Sequence, residues 1–312
     1  MMKKQDVGQQ ARKGKNRAVK VIMAGAMVLM LLQGSAGAFG AAAGRSDLIE
    51  HANAGRNMQK PAGKDGSRIE SSEPHKRLAI IIDDAGNDMK GTAEILAVPA
   101  KLTVAVMPFL STTKKDAVAA HEKGMDVIVH MPMEPKKGRP EWLGPGAITS
   151  GLSDEEVRER IERAIDDVPY AIGMNNHMGS KITSDKRIMS VVLDVCRERG
   201  LFFVDSRTNF RSIVGELAAQ KNMPPIGNDI FLDDRNTKQH IRKQMDAAVK
   251  HALDKTNCVV IGHVGHTGLN TSAVVHEAMI RYKGQVEFVG IGDLAREVWS
   301  WNAFPTQPID KK

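Results

Sequence analysis

Apolar and polar positions follow two periods along residues 77–300. Short runs of apolar, often β-branched residues predict strands over 78–83, 102–107, 126–130, 170–174, 201–205, 258–262 and 286–290, with a weaker one near Ile226 or over 230–232. Several are apolar on both faces, the mark of parallel strands covered on two sides. Helical periodicity fills the gaps. Ser153-Asp-Glu-Glu156 reads as a capping box opening a helix with Val157, Ile161, Ala164, Ile165 and Val168 on one face. Residues 185–199 carry Ile188, Met189, Val192, Val195 and Cys196 on one face and are closed by Gly200. Residues 237–254 repeat the pattern with Ile241, Met245, Ala248, Val249 and Ala252. Strands alternating with helices predict an α/β domain of seven or eight βα units, either a barrel or an open doubly wound sheet.

The stretch AIIIDDAGND is the focus of this pattern. Ile80, Ile81 and Ile82 stop abruptly at Asp83 and Asp84, and Gly86 permits a sharp turn. In parallel sheets the ligand crevice lies outside the carboxyl ends of the strands. The other strand ends hold His130 with Glu134 four residues on, then Asn175-Asn176-His177, Asp205-Ser206-Arg207, and His263 with His266. Singly, each reads as a core hydrogen bond or an ion pair. Together they gather carboxylates and imidazoles at one rim, which is costly without a compensating charge. A divalent cation relieves that cost. Mixed Asp and His ligands suit Zn²⁺, with Mn²⁺, Co²⁺ or Ni²⁺ as substitutes.

Charge narrows the partners. Residues 1–38 carry seven Lys or Arg against one Asp, so of the chain's net +7 only +1 remains beyond them. The basic balance therefore argues for no nucleic-acid partner. Those residues join a basic start, a short apolar run (VIMAGAMVLMLLQG) and small residues at A-x-A spacing, which predicts a secretory signal peptide cleaved near Ala38 and an exported, periplasmic or envelope protein. The alternative is an uncleaved anchor, the sole route to a membrane. Residues 39–76 read as a flexible linker, 77–300 as the domain and 301–312 as a tail, with Trp299, Trp301 and Phe304 expected either to pack on the barrel or to dock a partner. Cys196 and Cys258 are the two cysteines; two separate buried thiols are the preferred expectation over a disulfide, and two cannot make a thiolate-rich zinc site.

The insert 135–151, PKKGRPEWLGPGAITSG, has the length of a lid or binding loop. Its Trp142 is either a sugar-stacking ring or a plug on the core. The G-x-G-x-x-G and G-K-[ST] phosphate fingerprints are absent.

These residues resemble the NodB-like polysaccharide deacetylase superfamily, and more closely its divergent branch of exported bacterial proteins. The resemblance runs from about Arg77 to Trp299 and rests on IIIDDAG, GMDVIVHMPMEP, GMNNHMGS, FVDSRTNF, NDIFLDD and the IGH ending at His263. It implies an irregular (β/α) barrel of seven or eight βα units. It implies Asp83 as the base, Asp84 and His130 as metal ligands, and His263 as the acid that assists the leaving group. The superfamily's second metal histidine is replaced by Glu134, so the third ligand is Glu134 or His177; His177 is preferred because an imidazole restores an Asp-His-His set. An Arg-Pro-Pro loop of the superfamily is missing, and Asn175–Gly179 takes its place. Asp205 and Arg207 are expected to tune Asp83 and His263, and His266 is a further candidate beside the metal.

The resemblance implies metal-dependent hydrolysis of N- or O-acetyl groups on an envelope polysaccharide. The missing loop and the substituted histidine motivate a rival, a catalytically weak envelope protein that binds glycan or a protein through the same cleft. A phosphatase with Asp83 as nucleophile fits less well, because the D-x-D spacing is absent.

Overall fold

The computed structural model describes residues 76–302. The predicted signal peptide, most of the predicted linker and Phe304 lie outside them. Nine strands and eight α-helices follow in order: β1 Arg77–Ala85, α1 Thr92–Leu96, β2 Thr103–Val106, α2 Thr113–Glu122, β3 Asp126–Met133, α3 Asp154–Asp167, β4 Ala171–Met178, α4 Lys186–Glu198, β5 Phe202–Asp205, α5 Val214–Gln220, β6 Ile226–Gly227, β7 Ile230–Phe231, α6 Lys238–Lys255, β8 Asn257–His263, α7 Gly268–Arg281, β9 Glu287–Val289 and α8 Ile291–Trp299. The capping box at Ser153 and Glu156 forms, and Asp185 and Thr237 accept from backbone N–H groups at the starts of α4 and α6.

All strand pairs are parallel, in the order β6-β5-β4-β3-β2-β1-β8-β7. Along one edge β1 pairs with β8 from Arg77 to Asp83. Its other edge is shared, β9 taking residues 77–79 and β2 taking 81–85. The sheet curls into a half-barrel, left open where β6 and β7 share no ladder.

Period-two alternation sorts the side chains into two layers. Leu78, Ile80 and Ile82 of β1, Val127, Val129 and Met131 of β3, and Val260 of β8 pack outward under the helices. Ala79 and Ile81, Ile128, Phe202 and Val204, and Val259 and Ile261 pack inward. Helix α8 closes the amino end of this interior with Ile291, Leu294 and Ala295. Ile291 N–H donates to Thr103 Oγ1 at 2.9 Å and Gly292 N–H to Asp126 Oδ2 at 2.7 Å, at the starts of β2 and β3.

The predicted strands have longer counterparts at two places. β3 and β4 run on in register through His130↔Asn175 and Pro132↔His177 to Met133↔Met178. The sequence pattern ended both earlier, because periodicity alone reads polar residues as a strand's end. Here His130, Asn175 and His177 instead continue the ladder, His130 and His177 line an inner cleft, and Asn175 donates to Asp83. Cys196 and Cys258 are free and buried.

Candidate active site

The end of β1 is irregular. Ile82 pairs with Val104 and Ala85 with Val106, so β1 holds one residue more than β2 across that span, a β-bulge at the aspartate pair. Asp84 lies there at φ 71, a left-handed conformation uncommon outside glycine. In a regular strand these neighbours point to opposite faces; the bulge lets both line the same cleft. The following turn is held by Asp116, whose Oδ2 accepts from Gly86 N–H at 2.9 Å. Gly86 sits at φ 119, and a Cβ there would meet Met107 O at 2.8 Å.

Asp84 Oδ1 faces two imidazoles, His177 Nδ1 at 3.0 Å and His130 Nε2 at 3.2 Å. The two ring nitrogens stand 3.1 Å apart. What each ring does on its far side fixes its tautomer. Asn175 Nδ2 donates to Asp83 Oδ1 at 2.8 Å, which leaves Asn175 Oδ1 as the acceptor facing His130 Nδ1 at 2.7 Å. His130 therefore carries its proton on Nδ1. His177 Nε2 lies 3.1 Å from the Trp142 carbonyl oxygen, which only accepts, so His177 carries its proton on Nε2. With neutral rings, three lone pairs then converge, and Asp84 Oδ1 is buried with no hydrogen-bond donor. This arrangement is repulsive unless a cation sits among the three atoms. Ligand atoms bound about 2.0–2.1 Å from one tetrahedral ion stand roughly 3.4 Å apart, close to the edges seen here. Second partners that orient the rings, as Asn175 and Trp142 O do, are the usual accompaniment of metal-bound histidine. The residues fit a divalent cation.

Without an ion, protons on the rings would take the place of that charge. Burial would raise Asp84, yet His130 and His177 outweigh it and hold the carboxyl well below the usual range. Burial would lower His130, but Asp83 and Asp84 lift it above the ordinary histidine value. Asp83 is buried and pushed upward by that burial, against the pull of His130 and His263.

His263 stands beside Asp83 in the β1–β8 register. Its Nδ1 lies 2.7 Å from Asp233 Oδ1, and its own N–H donates to Asp233 Oδ2 at 2.8 Å. Thr267 and Thr271 hydroxyls donate to the same Oδ2. Burial opposes the charged imidazole, but Asp233 prevails and the His263 pKa rises to about 9. Asp83, Asp84, His130, His177 and His263 line one cleft of about 310 Å³, walled also by Lys137, Ser180, Thr208 and Phe231.

The remaining predicted residues lie elsewhere. Glu134 braces loops, accepting from Lys181 Nζ at 2.6 Å and Ser150 N–H at 2.7 Å; the third position beside Asp84 and His130 is filled by His177. Asp205 and Arg207 do not tune Asp83 or His263 as expected. Asp205 has the parity of outward-facing Phe203, and its Oδ1 accepts from Arg207 N–H at 2.8 Å. Arg207 Nη1 reaches Asn228 O at 2.9 Å and Asp229 Oδ1 at 3.1 Å. The tuning positions belong to Asn175 and Asp233, roles the sequence reading missed. Asn175 was visible at a strand end beside His177; Asp233 follows the two-residue β7, too short for any periodic signal. His266 is exposed and meets Asn236. Trp142 acts through its carbonyl, with its side chain half exposed and Arg139 over the ring at 5.8 Å.

A family model described as divergent polysaccharide deacetylase matches residues 80–295. An uncharacterized protein of Haemophilus influenzae is 34% identical over 220 residues, 70% of this chain and 77% of its own. YibQ of Escherichia coli, also uncharacterized, is 34% identical over 187 residues, 60% of this chain and 58% of its own. The crystal structure of an uncharacterized protein from Agrobacterium tumefaciens shares the fold at TM-score 0.66 and 21% identity, over 72% of this chain and 91% of its own. The matched span runs from the middle of β1, just before the bulge, into α8, the helix that closes the half-barrel, and on that ground the chain belongs to the divergent polysaccharide deacetylase family.

Proposed function

We propose that the chain is an exported, metal-dependent carbohydrate deacetylase acting on N- or O-acetyl groups of an envelope polysaccharide. The observation that carries this reading is the convergence of three lone pairs, from Asp84, His130 and His177, with their tautomers set by Asn175 and the Trp142 carbonyl. These atoms would hold a divalent cation, with Zn²⁺ the best match to the donor set. When bound, such an ion lowers the pKa of water and polarises a carbonyl.

The chain's own groups supply the proton transfers. Asp83, its carboxyl raised by burial, accepts a proton from the attacking water. Asn175 holds its Oδ1 in place. His263, protonated at neutral pH through Asp233, gives a proton to the departing amine or alkoxide. Both stand on adjacent strands at the same level, on the inner face of the sheet. The sequence of residues 1–38 supports an exported setting.

The test is elemental analysis of the purified chain, wild type beside Asp84→Ala and His130→Ala, followed by acetate release from acetylated glycans. About one divalent ion per chain, lost in both variants, with acetate released by the wild type, is the expected result. No ion retained or taken up on titration overturns the metal reading. Glycan binding with metal but without acetate favours the non-catalytic rival.

A further inference from the structure

One wall of the cleft mouth is built from three loops tied together. Lys136 N–H donates to Ser180 Oγ, Thr208 Oγ1 to Met178 O, and Asn209 Nδ2 to Ser180 O, at 2.7–2.9 Å. These loops, residues 135–139, 178–181 and 207–211, read PKKGR, MGSK and RTNFR, six cations and no carboxylate. Lys181 and Arg207 are engaged by Glu134 and Asp229. Lys136, Lys137, Arg139 and Arg211 are exposed and form no ion pair among the described residues. The insert adds one carboxylate, Glu141. Because the chain beyond residue 38 carries only +1, this is a local concentration rather than a general basic surface.

Two aromatic rings stand among these cations. Phe210 is 92% exposed with Arg211 5.5 Å from its ring, and Trp142 is 53% exposed under Arg139. Neither ring is placed there by core packing. Rings beside cations suit a ligand with apolar faces and negative groups. Lys137 itself lines the cleft, so such a ligand would run directly into it.

We infer that the substrate is an acidic glycan, a polysaccharide carrying carboxylates on its own sugar units near the acetylated one. The inference rests on the deacetylase reading for the acetyl group and on the wall for the charge. Sugar faces would lie on Trp142 and Phe210 while Lys136, Lys137, Arg139 and Arg211 pair with the carboxylates. A nucleic acid suits the mouth less, since its continuous phosphates would meet Asp83 and Asp84 at the cleft floor.

The experiment uses acetylated oligogalacturonides as free acids and the same oligosaccharides methyl-esterified, which removes the charge, while the salt dependence separates charge from the added methyl group. Binding to the full chain is measured at low and high salt, for wild type and for the double variant Lys136→Glu, Arg211→Glu. The expected result is about tenfold tighter binding of the free acid, lost at high salt and lost or reversed in the variant. Equal affinity for acid and ester, or no binding of either, overturns the inference, as does tighter binding of a single-stranded oligonucleotide of equal charge. Acetate release separates the two readings. Equal release from acid and ester keeps the deacetylase and removes the acidic glycan. Preference for the acid without release at either charge state keeps the acidic glycan and removes the deacetylase.

Discussion

Buried carboxylates occur at both ends of the curled sheet, and their surroundings are opposite in kind. At the amino end, Asp126 is raised by burial but has a resident cation, Lys101, 3.5 Å away. Lys101 also reaches Asp293 at 2.8 Å, and Gly292 N–H completes the cluster. At the carboxyl end, Asp84 faces two ring nitrogens that carry lone pairs, and no lysine or arginine among the described residues pairs with it. The amino end is complete as folded. At the carboxyl end Asp84 Oδ1 has no donor among the described residues. The contrast separates a carboxylate that fastens a helix from one that the proposed reading assigns to a cation.

The comparison breaks most severely at Asp83. Asp83→Asn should keep the bound metal by elemental analysis and lower acetate release by about 10²–10⁴-fold, the usual contribution of a positioned base. Unchanged release would remove Asp83 from that role. Next comes Asn175→Ala, which frees His130 to turn. Metal affinity by titration should fall about 10–100-fold, as for other residues that orient metal-bound histidines. Unaltered affinity would show that the tautomer argument is not needed.

A third change moves a pH limb. His263 is held at about 9 by Asp233, so turnover should fall as pH rises through that value. Asp233→Asn should shift this limb down toward roughly 6.5 in a pH–rate profile. The sign for stability follows from the same shift. A histidine raised in the folded state contributes most below its unfolded value of about 6.5, and that share disappears as pH passes 9. The smallest effect belongs to the amino end. Lys101→Met should cost about 1 kcal/mol in denaturant unfolding, since Lys101 is partly exposed, and should leave metal content unchanged. Metal loss in that variant would mean the two ends are coupled.

Much of this was legible in the pattern of residues. The parallel strands, the capped helices and the aspartate pair at the end of β1 followed from periodicity and turn chemistry. Parity could have gone further. Ala79, Ile81 and Asp83 share one face, as do Val259, Ile261 and His263, whereas Asp205 shares the outward face of Phe203. With several strands apolar on both sides, the sequence does not mark which face is inner, so Asp205 looked able to reach Asp83. The bulge was hidden for a related reason. An extra residue in one strand appears only when its partner strand is laid beside it. Asp233 was hidden because β7 has two residues and no period.

The support given to His177 by the insert comes from a backbone carbonyl, not from a side chain. Any residue at position 142 that keeps the short turn over 140–142 offers the same oxygen. On the proposed reading, the insert could therefore vary in sequence, and with it the sugars the mouth would accept, without touching the atoms that would hold an ion. Selectivity and chemistry would then be separately adjustable, and grafting a different insert onto the same half-barrel would be a route to new substrates that leaves the centre intact.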